Sequence, residues 1–408
     1  MRNKITLALV ALIALPLGIF AQNEESPVEV FAPITTGVSF LTVAPDARGG
    51  GLGDVGGATT PDENSQYWNP SKYAFINGVG GATVSYVPWL RKIVSDIDLV
   101  SATGFYKIKD VQTVAMSFRF FSIGKVLLKK NAEDTPMEVK PYDLALDASY
   151  SRILAKGFSM GVALRFIWSD LSGGSTVHDE QYLTPGWSIA ADISGFYTKD
   201  VNFAWGKGCG SFGFNISNIG KKIDYGNGDS RSSAFIPANL RLGGSFKMPF
   251  DQYNHLSLNV DINKLLVPAR PVQAEGETQE AYTARLNEYY DMDPITGIFR
   301  SFADMPDGGK FDFGYKIRQL NFSIGLEYDY KNMFLARIGY YNESKLNGNR
   351  KYVTFGAGFR LNVFELDVAY VLSVARNNPL DQTLRFTLGF NMAGLKKLAN
   401  NDRNAEGL

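Results

Sequence analysis

Phe158-Ser159-Met160-Gly161-Val162-Ala163-Leu164-Arg165-Phe166-Ile167-Trp168-Ser169 carries a large apolar side chain at every second position. The positions between are mostly small or polar. Residues two apart share one face of a strand and separate on a helix, so the period predicts a β-strand with one apolar face. The same pattern returns at Leu256, Leu258, Val260 and Ile262, which alternate with Ser257, Asn259, Asp261 and Asn263. It returns again at Leu320–Tyr330 and Leu384–Phe390.

About fourteen such segments run from Gly81 to Asn391. They lie near 81–88, 97–108, 111–121, 142–152, 157–169, 186–199, 210–217, 238–248, 253–263, 319–330, 332–342, 351–361, 364–374 and 382–391. Most are about 9–13 residues long, the length of a tilted strand crossing a bilayer, whereas soluble strands run nearer 5–6. The connections sharpen this. Short links after the second, fourth, eighth, tenth and twelfth segments contrast with long ones near 122–141, 170–185, 218–237 and 264–318. That is the alternation of tight periplasmic turns and long outer loops in an up-and-down membrane barrel. The link near 200–209 departs from it by its middling length, and the links after the eleventh and thirteenth segments are short for outer loops. The expected fold is all-β: a transmembrane outer-membrane β-barrel of about 14 antiparallel strands with an N-terminal plug. A soluble β-sandwich is the competing reading, but its strands are usually shorter. Asp143, Asp147, Arg165, Asp192, Arg241, Asp261 and Arg385 fall on the non-apolar face, which suits a polar lumen.

Four regions follow. Residues 1–21 read as a secretory signal, with Arg2 and Lys4 before the apolar run Ile5–Phe20 and Ala21 before the expected cut. An uncleaved anchor is the alternative, although the run is short of the ~20 residues a spanning helix needs. Residues 22–80 lack long alternation and are expected to plug the lumen, with a periplasmic tail as the other possibility. Val38, Phe40, Leu41, Tyr67, Trp68, Tyr73 and Phe75 favour packing. Residues 81–391 form the barrel, and 392–408 a periplasmic tail.

The 41 basic residues equal the 41 acidic ones, which argues against nucleic acid as the main partner, since phosphate binding needs a basic surface. One cysteine, Cys209, excludes an internal disulfide framework and a cysteine-based zinc site, and two histidines leave little for other metals. Gly51–Gly56 and Gly208–Gly213 both match G-x-G-x-x-G, but neither opens a helix in a βαβ unit. No G-x-S-x-G elbow accompanies His178 or His255. No catalytic residue, cofactor or metal ligand is assigned, and no enzyme is expected. Residues 276–291 read as a short helix in the longest outer loop, with Tyr282, Leu286, Tyr289 and Tyr290 on one side. These four are the candidate partner-binding residues. A loop packing on itself is the competing reading.

Ser39–Gly56 and Ser65–Phe75 resemble the N-terminal signature of the PorV (LptO) family, within the wider FadL-like barrels. Asp46, Arg48, Asp54, Asn69 and Pro70 carry that resemblance in the expected plug. It implies a fourteen-stranded FadL-type barrel in the outer membrane of Bacteroidota, serving type IX secretion. Such a barrel would bind the C-terminal signal domain of secreted cargo with its outer loops. It would associate with the SprA/Sov translocon and deliver cargo to the PorU, PorZ and PorQ attachment complex. Outer-membrane lipid and lipopolysaccharide would surround it. An O-deacylase activity has also been attributed to the family, and no residue constellation here carries it. A FadL-like transporter of hydrophobic small molecules is the alternative function. The chain departs from many outer-membrane barrels in continuing about eighteen residues beyond Phe390.

Overall fold

The computed structural model describes residues 33–91, 96–129, 135–173, 184–226, 230–374 and 380–392. The expected signal segment, the first residues of the expected plug, His178 and all of the tail beyond Met392 lie outside the described residues.

Fourteen antiparallel strands close into a barrel. They are β1 Gly80–Pro88, β2 Asp98–Lys109, β3 Gln112–Ser122, β4 Tyr142–Ala155, β5 Phe158–Asp170, β6 Gly186–Phe203 and β7 Gly206–Gly220. The second half is β8 Asn239–Pro249, β9 Asn254–Leu265, β10 Leu320–Tyr330, β11 Phe334–Asn342, β12 Lys351–Leu361, β13 Phe364–Ser373 and β14 Leu384–Asn391. Each strand pairs with its sequence neighbour, and β1 closes on β14 with Gly81 opposite Asn391 and Tyr86 opposite Phe386. Closure leaves no sheet edge and satisfies the backbone between strands, the condition for a β-structure in hydrocarbon.

The pleat sorts the side chains. Along β5, Leu164 is 65% exposed while its neighbour Arg165 is 4% exposed. Val162 and Phe166 face outward with Leu164, whereas Ala163, Ile167 and Ser169 face in. The seven charged strand residues expected on the lumen side are all buried there. Water and polar partners exist only on the inner side, so charge collects there and large apolar groups coat the outside.

All links at one end are short, two to four residues, as in 110–111, 204–205 and 362–363. The other end carries the longer ones, including 266–319. The sixth link is a correction to the sequence reading. It is only Ala204-Trp205, because β6 runs on to Phe203 and β7 starts at Gly206. The charged pair Lys199-Asp200 interrupts the apolar alternation, but the backbone ladder continues through Asp200, paired with Cys209, to Phe203, paired with Gly206. Two longer links also hold small hairpins, Val126–Leu128 with Met137–Val139 and Ile223–Asp224 with Ser233–Ala234.

Candidate functional site: the barrel lumen and its loop end

The segment from Pro33 to Val79 meets inward-facing groups around the wall. Two short helices organise it, α1 Ala47–Gly51 and α2 Ser65–Trp68. Asp46 caps α1: its Oδ2 accepts from the Gly49 amide at 2.7 Å, and its Oδ1 accepts from Trp68 Nε1 at 2.6 Å. The glycines of this stretch follow from that packing. A Cβ on Gly49 would lie 2.2 Å from the Trp68 indole. Gly53 has φ +75°, and a Cβ there would lie 2.6 Å from the Tyr340 amide nitrogen of β11. The G-x-G-x-x-G match at Gly51–Gly56 is thus a close-packed turn against wall and indole.

Each motif residue of this segment has its own anchor. Arg48 donates to both Glu327 oxygens on β10, at 2.9 and 3.1 Å, and to Asp62 at 2.6 Å. Asp54 accepts from Arg385 of β14 and Tyr352 of β12, each at 2.5 Å. Asn69 donates to Gly195 O of β6 at 3.1 Å and to Gly57 O at 2.9 Å. Its Oδ1 accepts from the Ser71 amide at 3.1 Å, which caps the 3-10 helix Pro70–Phe75, with Pro70 at the first position, where no amide hydrogen is needed. On β9, Asp261 Oδ2 accepts from the Gly56 and Gly57 amides at 2.9 Å each. Phe40, Leu41, Trp68 and Tyr73 are buried here, as the sequence suggested. Burial pushes the Asp46 carboxyl up to about 6, and the charge of Asp62 adds to the rise. Burial likewise lowers the Lys72 ammonium to about 8, with Asp62 opposing.

The 266–319 link carries three helices, α3 Gln279–Asp291, α4 Pro294–Arg300 and α5 Phe313–Arg318. The α3 helix starts three residues later than the sequence reading placed it, because Thr278 caps it by accepting from the Ala281 amide at 3.3 Å. Arg285 ties the link together: it donates to Glu277 at 2.6 and 2.8 Å, to Pro306 O at 3.0 Å and to Val272 O at 2.9 Å. The Tyr289 ring packs 5.6 Å from Phe235, and the Tyr290 ring lies 5.7 Å from Tyr289. Lys222 donates to Tyr290 O at 2.8 Å. Tyr282 and Leu286 are half-buried. The four candidate residues therefore lie on one helix, with Tyr289 and Tyr290 packed against the neighbouring link.

Residues that the sequence reading passed over are more accessible. Phe299 is 71% and Phe313 69% exposed, and Ile295, Phe302, Phe311 and Ile317 are exposed as well. A separate groove of about 350 Å³ in the same link is lined by Pro268, Arg285, Tyr289, Met292 and Arg300 among others. The available signal was compositional: Phe299, Phe302, Phe311 and Phe313 stand in a link with no strand period to account for them. His255 is the second residue of β9, at the short-turn end, and Cys209 is a half-buried free thiol in β7. Among the described residues no group of three or more His, Cys, Asp or Glu is placed to hold a metal.

A family model described as "Type IX secretion system protein PorV" matches residues 26–272, more than half of the chain. That span takes in the lumen segment and β1–β9, while α3–α5 lie beyond it. The search of curated proteins found no match. Among solved structures, the Pseudomonas putida toluene transporter TodX is 11% identical, covering 86% of this chain and 98% of its own, with a TM-score of 0.45. A Pseudomonas aeruginosa FadL homologue is 12% identical, covering 89% and 100%, with a TM-score of 0.40. The Ralstonia pickettii toluene transporter TbuX is 8% identical, covering 85% and 97%, with a TM-score of 0.42. Likeness at this level bears on neither ligand nor mechanism.

Proposed function

Because the chain belongs to the PorV family and is thereby an outer-membrane component of the type IX secretion system, we propose that it binds the C-terminal signal domain of secreted cargo at its loop end. In this reading residues 1–21 direct export and are removed, and 22–80 plug the lumen. The loop end faces the cell exterior. Cargo is taken over from the SprA/Sov translocon and handed to the attachment complex of PorU, PorZ and PorQ. The mechanism is docking and transfer, with no bond chemistry.

One observation carries the reading: the longest link is internally braced yet leaves large apolar side chains exposed. Arg285 fixes its geometry, while Phe299 and Phe313 stay accessible. Exposed apolar surface of this kind marks interaction sites. A braced surface also loses less conformational entropy on binding than a disordered one. The many anchors of the lumen segment support a barrel that works with its lumen closed, as docking at the rim requires. Deleting Gly276–Asp291 from the chromosomal copy tests the assignment. Cargo bearing the C-terminal domain should then fail to reach the medium while the barrel still assembles; normal secretion would remove the link from the mechanism.

A further inference from the structure

A cavity of about 70 Å³ lies between the lumen segment and inward-facing residues of β3, β5 and β7–β12, apart from the exposed surface of the longest link. Four guanidinium groups line it, those of Arg119, Arg165, Arg241 and Arg350, with a single carboxylate, Asp54. Asp54 is already held by Arg385 and Tyr352. The arginines do have carboxylate partners, Asp147, Asp192, Asp261 and Glu343, but none of these belongs to the lining. Net charge is therefore near balance while the face toward the cavity is positive.

The partnering is also incomplete. Arg119 is 3% exposed, its bond to Asp147 is long at 3.4 Å, and its buried Nη1 makes no hydrogen bond among the described residues. A buried guanidinium N–H without an acceptor is costly. The Tyr67 ring stands between Arg119 and Arg241, with the two guanidinium carbons 5.5 and 5.3 Å from its centroid. Tyr341 and Tyr352, stacked 4.8 Å apart, add a second aromatic wall.

We propose that this cavity is a binding site for a small organic carboxylate, whose oxygens meet the unpartnered Nη1 edge of Arg119 among the lining guanidinium groups and whose body lies against the tyrosine rings. Guanidinium groups pair carboxylates with two parallel hydrogen bonds, and the rings take apolar or flat surface. At about 15 Å³ for each water the cavity holds about five, the room of a carboxylate with a short body. The site does not depend on the cargo-docking reading.

The test is calorimetric titration of the purified full-length protein in detergent with butyrate and with benzoate, alongside sulfate. The wild type should bind at least one carboxylate saturably and more tightly than sulfate. Arg119→Gln should weaken that binding at least tenfold. Arg350→Gln, at the partly exposed rim, provides a second variant in case the first disturbs folding, which heat-dependent gel migration reports. Absence of carboxylate binding overturns the proposal. So does binding unchanged in a folded Arg119→Gln or Arg350→Gln protein, or sulfate binding as tightly as the carboxylates.

Discussion

Arg48 of the lumen segment and Glu327 of β10 form a two-toothed ion pair, Nη2–Oε1 at 2.9 Å and Nε–Oε2 at 3.1 Å, and both side chains are buried. Glu327 also accepts from Arg337 of β11 at 2.7 Å, and Arg337 continues to Asp367 of β13 at 2.5 Å. The segment is thus joined to the wall through a chain of alternating charges. Glu327→Gln leaves buried positive charge uncompensated and should cost about 3–5 kcal/mol. Adding Arg48→Met should recover part of that loss, since the pair then disappears together. Denaturant unfolding in lipid vesicles reads both; strictly additive losses would mean the pair is not coupled.

The sorting of lipid and lumen faces gives a second expectation. Leu164→Arg puts a charge on the outward face at the centre of β5, one residue from the buried Arg165. It should lower the stability of the inserted barrel by about 2–4 kcal/mol. Folding yield into vesicles measures this, and an indifferent Leu164→Arg barrel would contradict a bilayer around β5.

Asp46 gives a pH dependence. Burial raises its folded-state value from 3.8 to about 6. A raised carboxyl stabilises the fold below its ordinary value, and that contribution is lost as pH rises through the folded value. The stability of the wild type minus that of Asp46→Asn should therefore fall by about 2 kcal/mol between pH 4 and pH 7. Unfolding midpoints at a series of pH values give the difference, and a flat or rising curve would contradict it.

Arg285→Ala removes the tie between α3, Val272 and Pro306. The 266–319 link should then be cut faster in limited proteolysis, by roughly tenfold for a lost stabilisation of about 1.4 kcal/mol. Barrel unfolding should stay within about 0.5 kcal/mol of the wild type.

The barrel was legible because a membrane strand writes its two solvents into alternate positions. The Phe158–Trp168 run shows both faces at once, and its strand ends fall within a residue or two of the reading. The reading failed where that contrast fades. At Lys199-Asp200 two charges in succession interrupt the apolar period of β6, and the Val201–Phe203 continuation beyond them is too short to read as strand on its own. The hairpins in the long links and helices α4 and α5 are too short to build a period. At the candidate sites, the residue types in Asp46–Gly56 and Asn69–Ser71 could be read. Their anchors could not, because Arg48 meets Glu327 across 279 positions of sequence. The exposed phenylalanines of the longest link were hidden for a related reason: exposure is a tertiary property, and sequence marks a loop phenylalanine no differently when it is buried.

The most direct measurement is binding of a purified cargo C-terminal signal domain to this protein in lipid nanodiscs, comparing wild type with the double variant Phe299→Asp/Phe313→Asp. The account predicts saturable binding by the wild type and at least tenfold weaker binding by the variant, a difference of about 1.4 kcal/mol. No binding by the wild type, or equal binding by both, would contradict docking through the exposed face of the longest link.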